Sequence, residues 1–199
     1  MIIKAFFFSV LSVFSQEPKK IVFVGDSLTE GYGVSKEQSY PHLLQQKIDK
    51  SHPGKFQILN SSISGSTTAS LVSRTDWVLK SQPYAVVIAL GANDGLRGQG
   101  VDLIDQNISN AIKVFQKNKI KVLLLGMRMP PNYGIDYTVQ FDKVFKKIAD
   151  KNKTPLMPFL LDKVAGDKGL NQSDGIHPNE KGHQIMSETV YKFLVKNLL

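Results

Sequence analysis

The sequence predicts an α/β protein, a three-layer α/β/α sandwich on a five-stranded parallel sheet. Three observations carry that prediction. Uninterrupted apolar runs, IVFVG at 21–25, AVVIAL at 85–90 and KVLLLG at 121–126, read as strands covered on both faces. Between them lie segments whose apolar residues recur at helical spacing, the alternation that builds parallel sheets. Most strand ends then open into glycine-rich or polar loops, and the carboxyl edge of an open α/β sheet is where ligands bind.

The elements follow in order. After Gly25 the chain turns through Asp26-Ser27 and opens a helix; then Tyr40 to Lys50, with Pro41 suited to a first turn, reads as a crossover helix. His52-Pro53-Gly54 punctuates, and Phe56 to Leu59 reads as a short strand ending in the small polar loop Asn60 to Ser66. Thr68 to Lys80 is a helix carrying Leu71, Val78 and Leu79, and AVVIAL follows Pro83 to end at Gly91-Ala92-Asn93-Asp94-Gly95. Asp102 to Lys117 is amphipathic, with Ile104, Ile108, Ala111, Ile112 and Phe115 forming a core stripe. KVLLLG leads into Met127 to Gly134, and Tyr137 to Asp150 is a helix burying Phe141, Val144, Phe145 and Ile148. Leu156 to Leu161 is expected as the last strand, and Pro178 to about Asn197 as the final helix with Met186, Val190, Phe193 and Leu194 inward.

Composition narrows the function classes. A chain of 199 residues with 42% hydrophobic and 21% charged side chains has enough apolar material for one full core. The net charge of +8 comes mostly from lysines spread over helix faces, Lys143, Lys146, Lys147, Lys151 and Lys153 among them, with arginine only at 74, 97 and 128. That is a solvated surface and not a nucleic-acid footprint, though it suits weak contact with anionic lipid or substrate. With no cysteine there is no disulfide, thiolate metal site or cysteine nucleophile. Lys4 followed by the apolar stretch Ala5 to Phe14 is too short to span a bilayer and reads as a signal peptide over residues 1–15, so we expect cleavage near Ser15-Gln16, export to the periplasm or medium, and a mature domain over 18–199. A monomer is expected.

Candidate chemistry sits at the loops. Ser27 is either a nucleophile on the sheet edge or a helix N-cap with Glu30 completing a capping box, and the turn alone leaves both open. Asp174-Gly175-Ile176-His177-Pro178 puts a carboxylate three residues before an imidazole, a spacing that lets Asp174 orient His177 as a general base for Ser27. The N–H groups of Ser27 and Gly65 and the amide of Asn93 are candidate oxyanion donors, each with a bland alternative as a turn or cap residue. Asp26 and Asp94 read as residues that hold the turns aiming Ser27 and Asn93. His177 and His183 have H-x5-H spacing and no cysteine set accompanies them, so no metal is expected. His183 reads as a surface or helix-packing residue, and His42 and His52 have no sequence partner.

Taken together, Gly25-Asp26-Ser27-Leu28, Gly65 in the SISGS loop, Gly91-Ala92-Asn93-Asp94 and Asp174-Gly175-Ile176-His177-Pro178 resemble the four blocks of the GDSL-type, or SGNH, hydrolases, in order and over nearly the whole length after the amino-terminal segment. Asn93 to Gly98 and Met129 to Gly134 extend the resemblance toward exported bacterial thioesterases, lysophospholipases and arylesterases. It implies a flavodoxin-like fold, a catalytic set of Ser27, Asp174 and His177, an oxyanion hole of Ser27, Gly65 and Asn93, and no cofactor. One position departs: Ser66 stands where related sequences carry an acidic residue. The expected activity is hydrolysis of a small-molecule carboxylic ester or thioester through an acyl-enzyme. Alternatives on the same scaffold are a carbohydrate O-deacetylase or a binding module without activity. The apolar loop Met127 to Gly134 favours an acyl or aryl group, with Met129, Pro130 and Tyr133 as expected substrate contacts that shift to cover the chain.

Overall fold

The computed structural model describes residues 17–199, so the expected signal peptide over 1–15 lies outside the described residues. Five strands, β1 (Lys19–Gly25), β2 (Phe56–Asn60), β3 (Ala85–Ala89), β4 (Lys121–Leu125) and β5 (Leu156–Met157), form one parallel sheet in the order β2-β1-β3-β4-β5. This is the doubly wound order, reversing direction beside β1. The helices are α1 (Ser27–Glu30), α2 (Tyr40–Ser51), α3 (Thr68–Lys80), α4 (Ala92–Leu96), α5 (Val101–Lys117), α6 (Ile135–Asn152) and α7 (Glu180–Asn197). α2 packs on α7, while α5 packs on both α3 and α6. Every residue of β3 is buried, which requires cover on both faces and explains why the strand reads as a continuous apolar run.

Register delivers the site. Gly25 at the end of β1 pairs with Ala89 of β3, and Phe23 pairs with Asn60 at the end of β2, so the three following loops emerge side by side. Beneath them Phe23, Phe141, Phe145 and Ile104 are essentially solvent-free core.

Several boundaries differ from expectation, α6 for one running two residues further at each end than Tyr137 to Asp150, and two of them have a clear local cause. The last strand pairs with β4 only over Leu156 and Met157, because Pro158 has no N–H for the ladder and the chain then turns so that Leu160 N–H donates to the Gly126 carbonyl at 2.9 Å. The last helix begins at Glu180, not Pro178: Asn179 is its N-cap, its side chain accepting from the N–H groups of Lys181 and Gly182 at 3.0 and 3.1 Å, while Pro178 is bridged to Asn171.

Candidate active site

The turn after β1 is built by Asp26. Its backbone is extended and its carboxylate accepts the Leu28 N–H at 3.1 Å, making Asp26 the N-cap of α1 and Ser27 its first residue. The capping-box alternative for Ser27 is thereby replaced. Glu30 reaches instead to the next loop, accepting from the N–H of Ser64 at 2.7 Å and from its hydroxyl. Gly25 is required by close approach, since a Cβ there would lie 2.5 Å from Thr29 Oγ1. Asp26 is buried, with one oxygen unpartnered among the described residues, and burial pushes its carboxyl up to about 6.

The loop after β2 is tied to the same turn. Ser61 and Ile63 donate their N–H groups to the carbonyls of Phe23 and Gly25 at 2.9 and 3.2 Å, and Asn60 Nδ2 donates to the Thr29 carbonyl at 2.8 Å. Gly65 adopts φ 77° and its carbonyl accepts from Arg97 Nη2 at 3.2 Å. The loop after β3 is fixed by Asp94, fully buried, whose carboxylate accepts both the Thr68 N–H at 2.9 Å and the Thr68 hydroxyl at 2.6 Å at the start of α3. The structural role expected for Asp26 and Asp94 is what these contacts describe. Asn93 Nδ2 donates to the Ser66 carbonyl at 3.1 Å, and its amide retains a second N–H. Because that contact uses the Ser66 backbone, the Asn93 anchor does not depend on the side chain at 66.

The fourth piece comes from the other end of the chain. Asp174 Oδ1 accepts the N–H groups of Ile176 and His177, each at 3.0 Å, so the carboxylate folds its own loop into a turn. Its other oxygen lies 2.7 Å from His177 Nδ1, and His177 Nε2 lies 2.9 Å from Ser27 Oγ. These hydrogen bonds, from the His177 amide first, hold the Asp174 carboxyl down at about 2. Tyr32 leans on the imidazole at 4.7 Å between ring centres.

Ser27, Gly65, Asn93 and His177 line one cleft of about 670 Å³, whose remaining wall is largely apolar: Leu96, Met127, Met129, Pro130, Phe159 and Ile176. Met129 and Pro130 line the cleft. Tyr133 does not line the cleft; its hydroxyl donates to the Leu96 carbonyl at 3.3 Å and so supports a lining residue from behind. Sequence reasoning missed Phe159 and Arg128, whose guanidinium stacks over the Phe159 ring at 5.2 Å inside the cleft. It also missed Gly95, where a Cβ would fall 2.3 Å from Met129 Sδ and 2.7 Å from the Phe141 ring. His183 is buried: its Nδ1 faces the Tyr40 N–H at 3.3 Å, and burial with the nearby His177 brings its pKa down to about 4. Among the described residues no cluster of three or more His, Cys, Asp or Glu side chains could hold a metal, and no helix is long and apolar enough to cross a membrane.

Known proteins are similar to this chain in sequence and fold. An arylesterase of Vibrio mimicus is 36% identical over 96% of this chain and 96% of its own length. Esterase TesA of Pseudomonas aeruginosa is 38% identical over 87% of each chain. The crystal structure of the psychrotrophic esterase EstA from Pseudoalteromonas sp., inhibited by monoethylphosphonate, superposes with a TM-score of 0.85 at 34% identity, covering 89% of this chain and 97% of that one. Residues 23–185 match the GDSL-like Lipase/Acylhydrolase family, and the chain belongs to that family as a serine ester hydrolase.

Proposed function

We propose that Ser27 is the nucleophile, His177 the general acid and base and Asp174 its orienter, and that the substrate is an acyl ester or thioester whose acyl or aryl group lies along the apolar wall. The observation that carries the reading is the continuous relay from Asp174 through His177 to Ser27, 2.7 and 2.9 Å, opening on that wall. With Asp174 held ionised, Nδ1 of His177 carries the proton it donates to the carboxylate and Nε2 is free to accept. Ser27 Oγ attacks the acyl carbonyl as its proton passes to Nε2. The tetrahedral anion is met by the Ser27 N–H, which as the first residue of α1 has no intrahelical acceptor, by the Gly65 N–H and by the second Asn93 N–H. Collapse expels the alcohol or thiol, protonated by His177, and leaves the acyl group on Ser27. Water then attacks that ester with His177 again as base, releasing the acid and restoring the hydroxyl.

An acetylated sugar fits less well, because Met127, Met129, Pro130 and Phe159 offer it few polar partners. The signal-like residues 1–15 support export, and the lysine-rich surface with Tyr32 and Ile176 exposed at the mouth supports weak contact with lipid. The amino-terminal sequence of protein recovered from the producing cells tests the export.

The deciding experiment is hydrolysis of p-nitrophenyl esters of increasing acyl length. Ser27→Ala is expected to lower turnover by roughly 10⁴-fold or more without loss of fold. Retained turnover in that variant would overturn the assignment. A rate that rises from acetyl to medium chains would support the acyl wall, and an acetyl-only profile would reject it.

A further inference from the structure

Gln172 stands outside the relay but connects its two halves. Its side-chain amide donates to the carbonyl of Tyr32 at 2.8 Å and to the carbonyl of Pro178 at 3.0 Å. Its backbone N–H donates to the His177 carbonyl at 2.8 Å, and its own carbonyl accepts the Gly175 N–H at 3.0 Å. One residue thus holds the backbone on both sides of His177 and reaches across to the chain just after α1. The fit on the far side is close: Gly33 adopts φ 77°, and a Cβ there would lie 2.1 Å from Gln172 Oε1.

The other polar side chains near His177 do a different job. Asn171 donates to the carbonyls of Val164 and Asp167 at 2.7 and 2.8 Å, and Asn179 to those of Gly169 and Asn171 at 3.0 and 3.3 Å. Those contacts shape the 164–179 segment against itself. Among the described residues, Gln172 is the side chain of that segment, besides His177, that hydrogen-bonds to residues 26–34. Ser27 and His177 are separated by 150 positions in sequence, so no local geometry sets their distance.

We infer that Gln172 is a positioning residue: by clamping the Tyr32 and Pro178 carbonyls together it sets the 2.9 Å separation of Ser27 Oγ and His177 Nε2 and the seat of the Tyr32 ring on the imidazole. The inference rests on the catalytic reading of Ser27 and His177 given above. Loss of the two donors lets the His177 loop drift relative to α1. A misplacement on the order of 1 Å lowers the rate of chemistry by about 10²-fold while leaving the acyl wall, and so substrate binding, in place.

Gln172→Met keeps the length and removes both donors. On p-nitrophenyl acetate its kcat is expected to fall roughly 10- to 100-fold with KM within about twofold, and the rate of Ser27 labelling by a fluorophosphonate to fall in parallel. Rates are normalised to active sites titrated to completion with the same reagent, which separates misplaced catalysis from loss of folded protein. Should Gln172→Met not fold, Gln172→Glu, polar and of equal length but without the donors, is read by the same assays. Unchanged kcat and labelling per titrated site, or a loss confined to KM, would overturn the clamp. Retained turnover in Ser27→Ala would instead overturn the catalytic reading, and is seen separately.

Discussion

The two sides of the cleft are held by different physics. Ser27, Gly65 and Asn93 follow three adjacent strands whose ladders fix the backbone to within the sheet's own tolerance, and buried carboxylates, Asp26 and Asp94, close the turns. Asp174 and His177 hang from a segment beyond β5, which pairs over two residues only, and the Asp174 side chain is 39% exposed. There the position comes from side chains that hydrogen-bond to backbone, Asp174, Asn171, Gln172 and Asn179. In the proposed mechanism the acid-base group is carried by the side held through side chains, and the groups that meet the developing charge are carried by the sheet. The consequence is that damage to the two sides should register differently, as lost chemistry on one and as lost chemistry with lost stability on the other.

Beyond Ser27→Ala, the largest expected effect is on the loop side. Asp174→Asn should lower kcat by about 10⁴-fold while the thermal midpoint moves little, because the residue is exposed and the Asn oxygen can still accept the Ile176 and His177 N–H groups. A fall in midpoint comparable to a core deletion would erase the contrast. On the sheet side, Asn93→Ala should lower kcat by roughly 10²-fold with KM nearly unchanged, as expected for a donor used only by the transition state. Equal changes in KM would mean that Asn93 holds substrate instead. Smaller in rate but larger in stability, Gly95→Ala places a methyl against Met129 and the Phe141 ring and should cost about 1–3 kcal/mol, read by urea unfolding, with a partial loss of turnover through displaced Asn93.

The subtlest test is of pH. The pKa of His183 is depressed to about 4, so between about pH 6.5 and 4 the unfolded chain binds a proton that the folded one refuses, and acid removes stability on the order of 3 kcal/mol. Asp26 works in the opposite sense: raised to about 6, it takes a proton in the folded state between about pH 6 and 3.8, and acid adds stability on the order of 3 kcal/mol. The two slopes oppose each other in wild type. From pH 7 to 4.5, melts of His183→Gln should therefore show a midpoint that holds or rises relative to wild type, and melts of Asp26→Asn one that falls more steeply. Identical slopes in both variants would mean that neither burial governs acid stability.

The parts that were legible in the sequence are those decided locally. Buried parallel strands advertise themselves as apolar runs, so β1, β3 and β4 were found within a residue or two, and the turns that end them need glycine or a small polar residue at fixed offsets, which exposed Ser27, Gly65, Asn93 and the Asp174–His177 pair. The pair is legible because three residues of spacing close a turn on themselves. What the sequence by itself determined, then, is which residues stand at the strand ends and what chemistry their types permit. Tertiary structure alone decided the partners across distance: Glu30 with Ser64 and not with its own helix, Asp94 with Thr68, Tyr133 behind Leu96 and not in the cleft, His183 against Tyr40, and Gln172 with Tyr32. A hydrogen bond between residues 26 to 143 positions apart leaves no periodic or local trace, because it exists only once the strand order and helix packing have brought the two backbones together.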